Sequence, residues 1–244
     1  TSVWIPKGIT KAYNTFEYCS NLKTVEFEEG IESIPERLFG DCTGLESIII
    51  PETVTQIEKA AFRDCTNLTS VILPENLKGI QADAFYMCKN LKTTNIPEKV
   101  EELGEAVFRG CESLTTVYIP NSVTTMGSNM FSGCTSLKTV HLPEAYTEIP
   151  GYTFYNCDKL SDVNIPAGVE KIGHDAFYNC DALTELDLPE GLVTIQSEAF
   201  KNCDGLTHVV LPDSVKDLSG QAFSTCSNLE SVVLGNGVTD VSFS

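Results

Sequence analysis

Apolar residues along this chain follow a pattern that changes period and then begins again. Ala199, Phe200, Cys203 and Leu206 stand at i, i+1, i+4 and i+7. That is the stripe of a helix face, so one or two helical turns are predicted there. The following positions, as in Val163, Asn164 and Ile165, alternate apolar and polar, as a short half-buried strand does. Pro212 ends the strand and favours a tight turn. A second apolar pair follows in each unit, for example Val169 and Ile172, before the helical stripe returns.

The unit recurs without drift. Cysteines fall at 19, 42, 65, 88, 111, 134, 157, 180, 203 and 226, every gap being 23 residues. A Phe stands three residues before each cysteine and a Leu three residues after it, and proline recurs at 51, 74, 97, 120, 143, 166, 189 and 212. Phased repeats of this length mean a solenoid. One unit buries too little apolar surface to offset the entropy of ordering it, so the units stack.

The predicted fold is an α/β repeat solenoid with one parallel sheet of eleven strands, from Val3–Ile5 to Val232–Leu234, and short helical turns on the other side. A single array covers residues 1–244: a partial repeat at 1–21, full repeats over 22–228 and a partial repeat at 229–244. The chain starts at a strand, stops before the Phe of its last repeat and shows no polar cap, which reads as a piece of a longer protein.

The unit Leu-x-x-Val-x-Ile-Pro-x-x-Val-x-x-Ile-x-x-x-Ala-Phe-x-x-Cys resembles the BspA-like, Treponema-type leucine-rich repeat over essentially the whole chain. It departs from the commoner leucine-rich repeat, which has Asn two residues beyond the proline position. Only Asn76 does so here, while Thr53, Lys99, Ser122 and Gly168 occupy the same row. The resemblance implies a leucine-rich-repeat-like fold and a cell-surface or secreted protein of a host-associated microbe, adhering to host matrix proteins or to other cells. It supplies no catalytic residues and does not name a ligand.

Charge narrows the partners. The formal net charge is -18, from 34 acidic and 16 basic residues, and residues 123–244 carry 16 acidic against 5 basic side chains. Nucleic acid and anionic lipid both need clustered Lys and Arg, so neither is expected. A basic partner, or simple colloidal solubility, suits the balance better. No apolar run approaches the length of a membrane span, and Thr1 to Pro6 lack the basic start and apolar core of a signal peptide.

Ten cysteines raise the question of metal or disulfides. No Cys-x-x-Cys pair occurs, so a zinc site has no local signature. Each Cys shares the stripe of Phe and Leu, where a reduced thiol acts as a small buried hydrophobe. His141, His174 and His208 lack an acid and a nucleophile at motif spacing, and no glycine-rich phosphate loop appears. No catalytic residue, metal or cofactor is expected, and an enzyme is rejected.

Strand alternation divides each unit into inward and outward positions. One outward row reads Glu26, Ile49, Ile72, Asn95, Tyr118, His141, Asn164, Asp187, Val210 and Val233. Packing explains why the inward rows hardly vary; it does not explain the changing outward row. A protein partner is therefore expected on the strand face, at Asn95, Thr116, Tyr118, Thr139, His141 and Asn164, beside an acidic group of Asp162, Glu185 and Asp187. A competing glycan site comprises Tyr152 and Tyr155, in a unit that also puts Tyr146 at a usually valine position and Pro150 at a frequently glycine position, with Tyr178 one rung later. The remaining alternative is a passive spacer that presents another domain.

Overall fold

A computed structural model describes residues 1–12 and 14–239. Strand pairing among the described residues is parallel and steps by 23 residues, as in Ile48 with Val71 and Ile149 with Ile172, except that Val3 meets Val25 at a step of 22. The strands form two lines rather than the single sheet expected. The first line holds β1 (Ser2–Ile5), β2 (Thr24–Phe27), β4 (Ser47–Ile49), β6 (Ser70–Ile72), β9 (Thr116–Tyr118), β11 (Thr139–His141), β13 (Asp162–Val163), β16 (His208–Val210) and β18 (Ser231–Val233). The second holds two-residue strands: β3 (Ser33–Ile34), β5 (Gln56–Ile57), β7 (Gly79–Ile80), β8 (Glu102–Leu103), β10 (Thr125–Met126), β12 (Glu148–Ile149), β14 (Lys171–Ile172), β15 (Thr194–Ile195) and β17 (Asp217–Leu218). The second apolar pair of each unit thus builds a sheet of its own.

The first line is not continuous. It pairs as β1–β2, β4–β6, β9–β11–β13 and β16–β18. Two of the expected eleven strands do not form among the described residues. At the Asn95 rung, only an isolated bridge joins Ser70 to Thr93. There Thr94 takes the inward place of Val or Ile, and its buried hydroxyl has no partner. At the Asp187 rung, Glu185 comes 23 residues after Asp162 and so in equal repeat phase, and like charges at facing positions disfavour pairing.

The second line breaks once, between β10 and β12. Gly127 and Gly173 donate their backbone N–H to the carbonyls of Leu103 and Ile149, at 2.9 and 2.8 Å. Pro150 holds the same place in the intervening unit and has no N–H to give. Tyr146, in a row otherwise filled by Val, Leu and Ile, adds bulk beneath the same rung.

The predicted helical turns are absent: the described residues contain no helix. Two residues per unit, four apart, adopt left-handed backbone, such as Arg37 (φ 52°) and Asp41 (φ 56°), then Ala60 (φ 55°) and Asp64 (φ 57°). This redirects alternate N–H groups along the stack. Arg37, Phe39 and Asp41 donate to Lys59, Ala61 and Arg63 of the next unit at 3.0, 3.0 and 2.7 Å. A helix would have consumed those donors internally. The apolar stripe is common to both conformations, so periodicity alone does not separate them.

The core runs the length of the stack. Phe rings from Phe16 to Phe223 form a file with neighbouring centroids 5.0–6.1 Å apart, nearly parallel except for a 31° tilt between Phe154 and Phe177. Beside it runs a file of thiols. From Cys42 to Cys226, each Sγ donates to the carbonyl oxygen of the Phe 26 residues earlier, at 3.0–3.3 Å. Burial pushes these thiols up from an ordinary value of 9.0, Cys42 and Cys134 to about 12, so they stay protonated and unreactive. Cys19, in the first unit, is exposed.

Candidate functional site

The inward members of the first strand line, such as Val117, Val140 and Val209, are buried against the Phe file. The outward members stand in solvent. Tyr118 is 50% exposed and Val210 63%, with Ile49, Ile72 and Val233 alike uncovered. Trp4 continues the row at its N-terminal end, 57% exposed. The outward row read from the sequence begins at Glu26 and misses it. Strand phase was the available signal, because Trp4 lies between Val3 and Ile5 as Tyr118 lies between Val117 and Ile119.

Thr116, Tyr118, Thr139 and His141 come together on the paired strands β9 and β11. The Tyr118 and His141 rings lie 6.2 Å apart and tilted by 49°, so both offer an edge and part of a face outward. Asp162 adjoins them on β13. Asn164 has a different occupation. Its Oδ1 accepts from the Leu142 N–H at 2.7 Å and its Nδ2 donates to the Leu142 carbonyl at 3.2 Å. The side chain replaces the backbone in the ladder and ends strand pairing at Val163. Asn95, Glu185 and Asp187 are exposed but lie outside the named strands.

The three tyrosines of the competing site gather on the turn side. Tyr155 and Tyr178 stack at 4.8 Å and 17°, and Tyr152 lies 5.7 Å from Tyr155. The repeat itself creates this pile, since one unit's rise brings equal phases to stacking distance. Further residues join from neighbouring turns. His174 meets Tyr152 edge-on at 5.2 Å, and Lys201 Nζ sits 5.7 Å over the Tyr178 ring. His174 also bridges units, with Nε2 2.7 Å from the buried Asp175 carboxylate and Nδ1 2.7 Å from Ser197 Oγ. Burial raises the Asp175 carboxyl above the usual range, against the pull of His174. Tyr152 is raised by burial and by the same carboxylate.

An asparagine file borders the pile: Asn202 Nδ2 donates to Asn179 Oδ1, and Asn179 Nδ2 to Asn156 Oδ1, each at 2.8 Å. These amides occupy left-handed positions, which Asn tolerates better than most residues. Among the described residues, no group of three or more His, Cys, Asp and Glu is placed to hold a metal ion. No helix among them is long and apolar enough to cross a membrane.

Comparison with known proteins agrees with this geometry. A leucine-rich repeat protein from Bacteroides ovatus has a similar structure, with a TM-score of 0.86 and 31% identity over 95% of this chain. This chain spans 60% of that protein's length. The leucine rich repeat protein of T. pallidum is 28% identical over 75% of this chain and 83% of its own, with a TM-score of 0.62. A leucine rich cell surface protein from Faecalibacterium prausnitzii shares the fold at 23% identity, covering 96% of this chain and 79% of its own, with a TM-score of 0.55. No curated protein matches. The family model for the BspA type leucine rich repeat region matches 6 copies, over residues 1–115, 32–161 and 147–244. These matches run the length of the chain, which belongs to the BspA type leucine-rich repeat family.

Proposed function

We propose that this chain is a non-enzymatic module that binds a protein partner on its strand face, displayed at a cell surface or secreted. The observation that carries the reading is the outward row. It exposes Trp4, Ile49, Ile72, Tyr118, Val210 and Val233, large apolar groups that contribute nothing to the core. Spread along one face, they make a surface on which bound protein would displace water. The centre is the Tyr118–His141 pair with Thr116 and Thr139; Asn95, Asp162, Glu185 and Asp187 lie at its borders. Host matrix and cell-surface proteins are the partners to try first, in keeping with the family resemblance and with a structural relative described as a cell surface protein.

The test is direct binding of the chain to a panel of matrix proteins and glycans at physiological salt. Saturable binding to one protein, weakened at least about tenfold by Tyr118→Ala with His141→Ala, is the expected result. Because Tyr118 and His141 are both exposed, the thermal melt should stay put. Binding that survives the double change would remove the site assignment. Silence across the panel would favour a spacer role.

The pile of Tyr155 on Tyr178 supports a second reading, in which a sugar ring stacks beside Tyr152 and hydrogen-bonds the neighbouring amides. A glycan array read with the parent chain and with Tyr155→Ala separates it from the first.

A further inference from the structure

We infer that the partner is cationic where it crosses the second half of the strand face, a lysine- or arginine-bearing segment whose apolar side chains settle on Val210 and Val233. This rests on the docking reading above and adds the partner's chemistry. Three observations carry it. Asp162, Glu185 and Asp187 are exposed, and none takes part in the ion pairs found among the described residues. Their carboxylates are therefore free to accept charge-assisted hydrogen bonds from a partner.

The strand line is also broken at these residues. β11 passes into β13, and β16 into β18, but residues 183–189 between them form no strand. The 23-residue repeat puts Asp162 and Glu185 in equal phase on neighbouring rungs, where two like charges repel. A cation laid across the pair removes that repulsion, so docking and closure of the ladder favour each other. Apolar surface lies next along the same face, at Val210 and Val233. A segment running lengthwise thus meets acid first and then valine, a sequence of chemistries that an acidic or purely apolar partner does not match. His208, on β16 and exposed, is the basic side chain on these rungs.

The experiment uses the whole chain and a labelled synthetic peptide of interspersed lysines and leucines, with twins in which glutamine or glutamate replaces lysine. Fluorescence anisotropy is followed from about 50 to about 300 mM NaCl. The lysine peptide should bind saturably, lose about tenfold in affinity across that salt range, and outbind both twins. Asp162→Asn with Glu185→Gln and Asp187→Asn should weaken it about tenfold, and Val210→Ser with Val233→Ser should weaken it independently of salt. Neutralising Glu102 on β8, Glu148 on β12 and Glu170 just before β14 should change little.

No binding of the lysine peptide, unchanged affinity in the strand-face triple variant, or an equal loss in the control triple would each overturn the inference. The docking reading stands or falls separately. A panel protein that binds, loses binding with Tyr118→Ala and His141→Ala, and ignores the acidic triple would keep the docking face and remove its cationic partner.

Discussion

Phe131 lies fully buried between Phe108 and Phe154, its ring centroid 6.0 and 5.8 Å from theirs. Units on both sides press on it, so the space left by Phe131→Ala has little freedom to collapse. The expected cost is about 3–5 kcal/mol in a denaturant titration, and a change below about 1 kcal/mol would mean the file is not a stiff core. The thiol beside it makes a pH prediction. Cys134 is pushed from 9.0 to about 12 in the folded chain by burial. Unfolded thiols lose their protons from about pH 9 upward while folded ones keep them, so the unfolded state binds fewer protons in that window. The stability tied to the buried thiols is complete below the unfolded value and drains away as pH rises toward 12. Each such thiol contributes up to about 1.4 kcal/mol per pH unit there. Urea midpoints at about pH 7.5 and about pH 10.5 should fall steeply in the parent and less steeply in Cys134→Ala; equal slopes would contradict the account.

The element that departs most from the periodicity is the turn segment. Ala, Phe, Cys and Leu at helical spacing are the same apolar stripe whether the backbone coils or turns, and the sequence reading took the commoner of the two. A signal for the second was present. In seven units the position just before the cysteine carries Asp41, Asp64, Gly110, Gly133, Asn156, Asn179 or Asn202, residues that accept left-handed backbone, while Tyr18, Met87 and Thr225 fill it in the other three. The break between β10 and β12 belongs to the same scale. Pro150 withholds a donor and Tyr146 adds bulk, both against the repeat's habit. Tyr146→Val with Pro150→Gly should join the two halves of the second sheet. Amide exchange at Thr147 and Glu148 should then slow by at least about tenfold. Unchanged exchange would place the cause of the break elsewhere.

At the scale of the molecule, parallel register turns each sequence row into a line on the surface, which is why the Tyr118–His141 pair and its threonines were legible in the sequence. Residues that depend on a second row were harder to read. Asn164 looks available in the sequence, yet its amide closes the Leu142 backbone. His174, Asp175 and Lys201 join the tyrosines only because turns from different units converge. Repeat length, array and inward rows followed from the sequence alone, because each of ten units makes the same apolar demand and only stacking meets it. Tertiary structure decided where backbone hydrogen bonds go: into a second sheet and between turns rather than into helices, and past Thr94, Pro150 and the stacked carboxylates not at all. Apolar spacing reports which side chains are buried. It is silent on which carbonyl a given N–H will find, because that depends on the neighbouring unit.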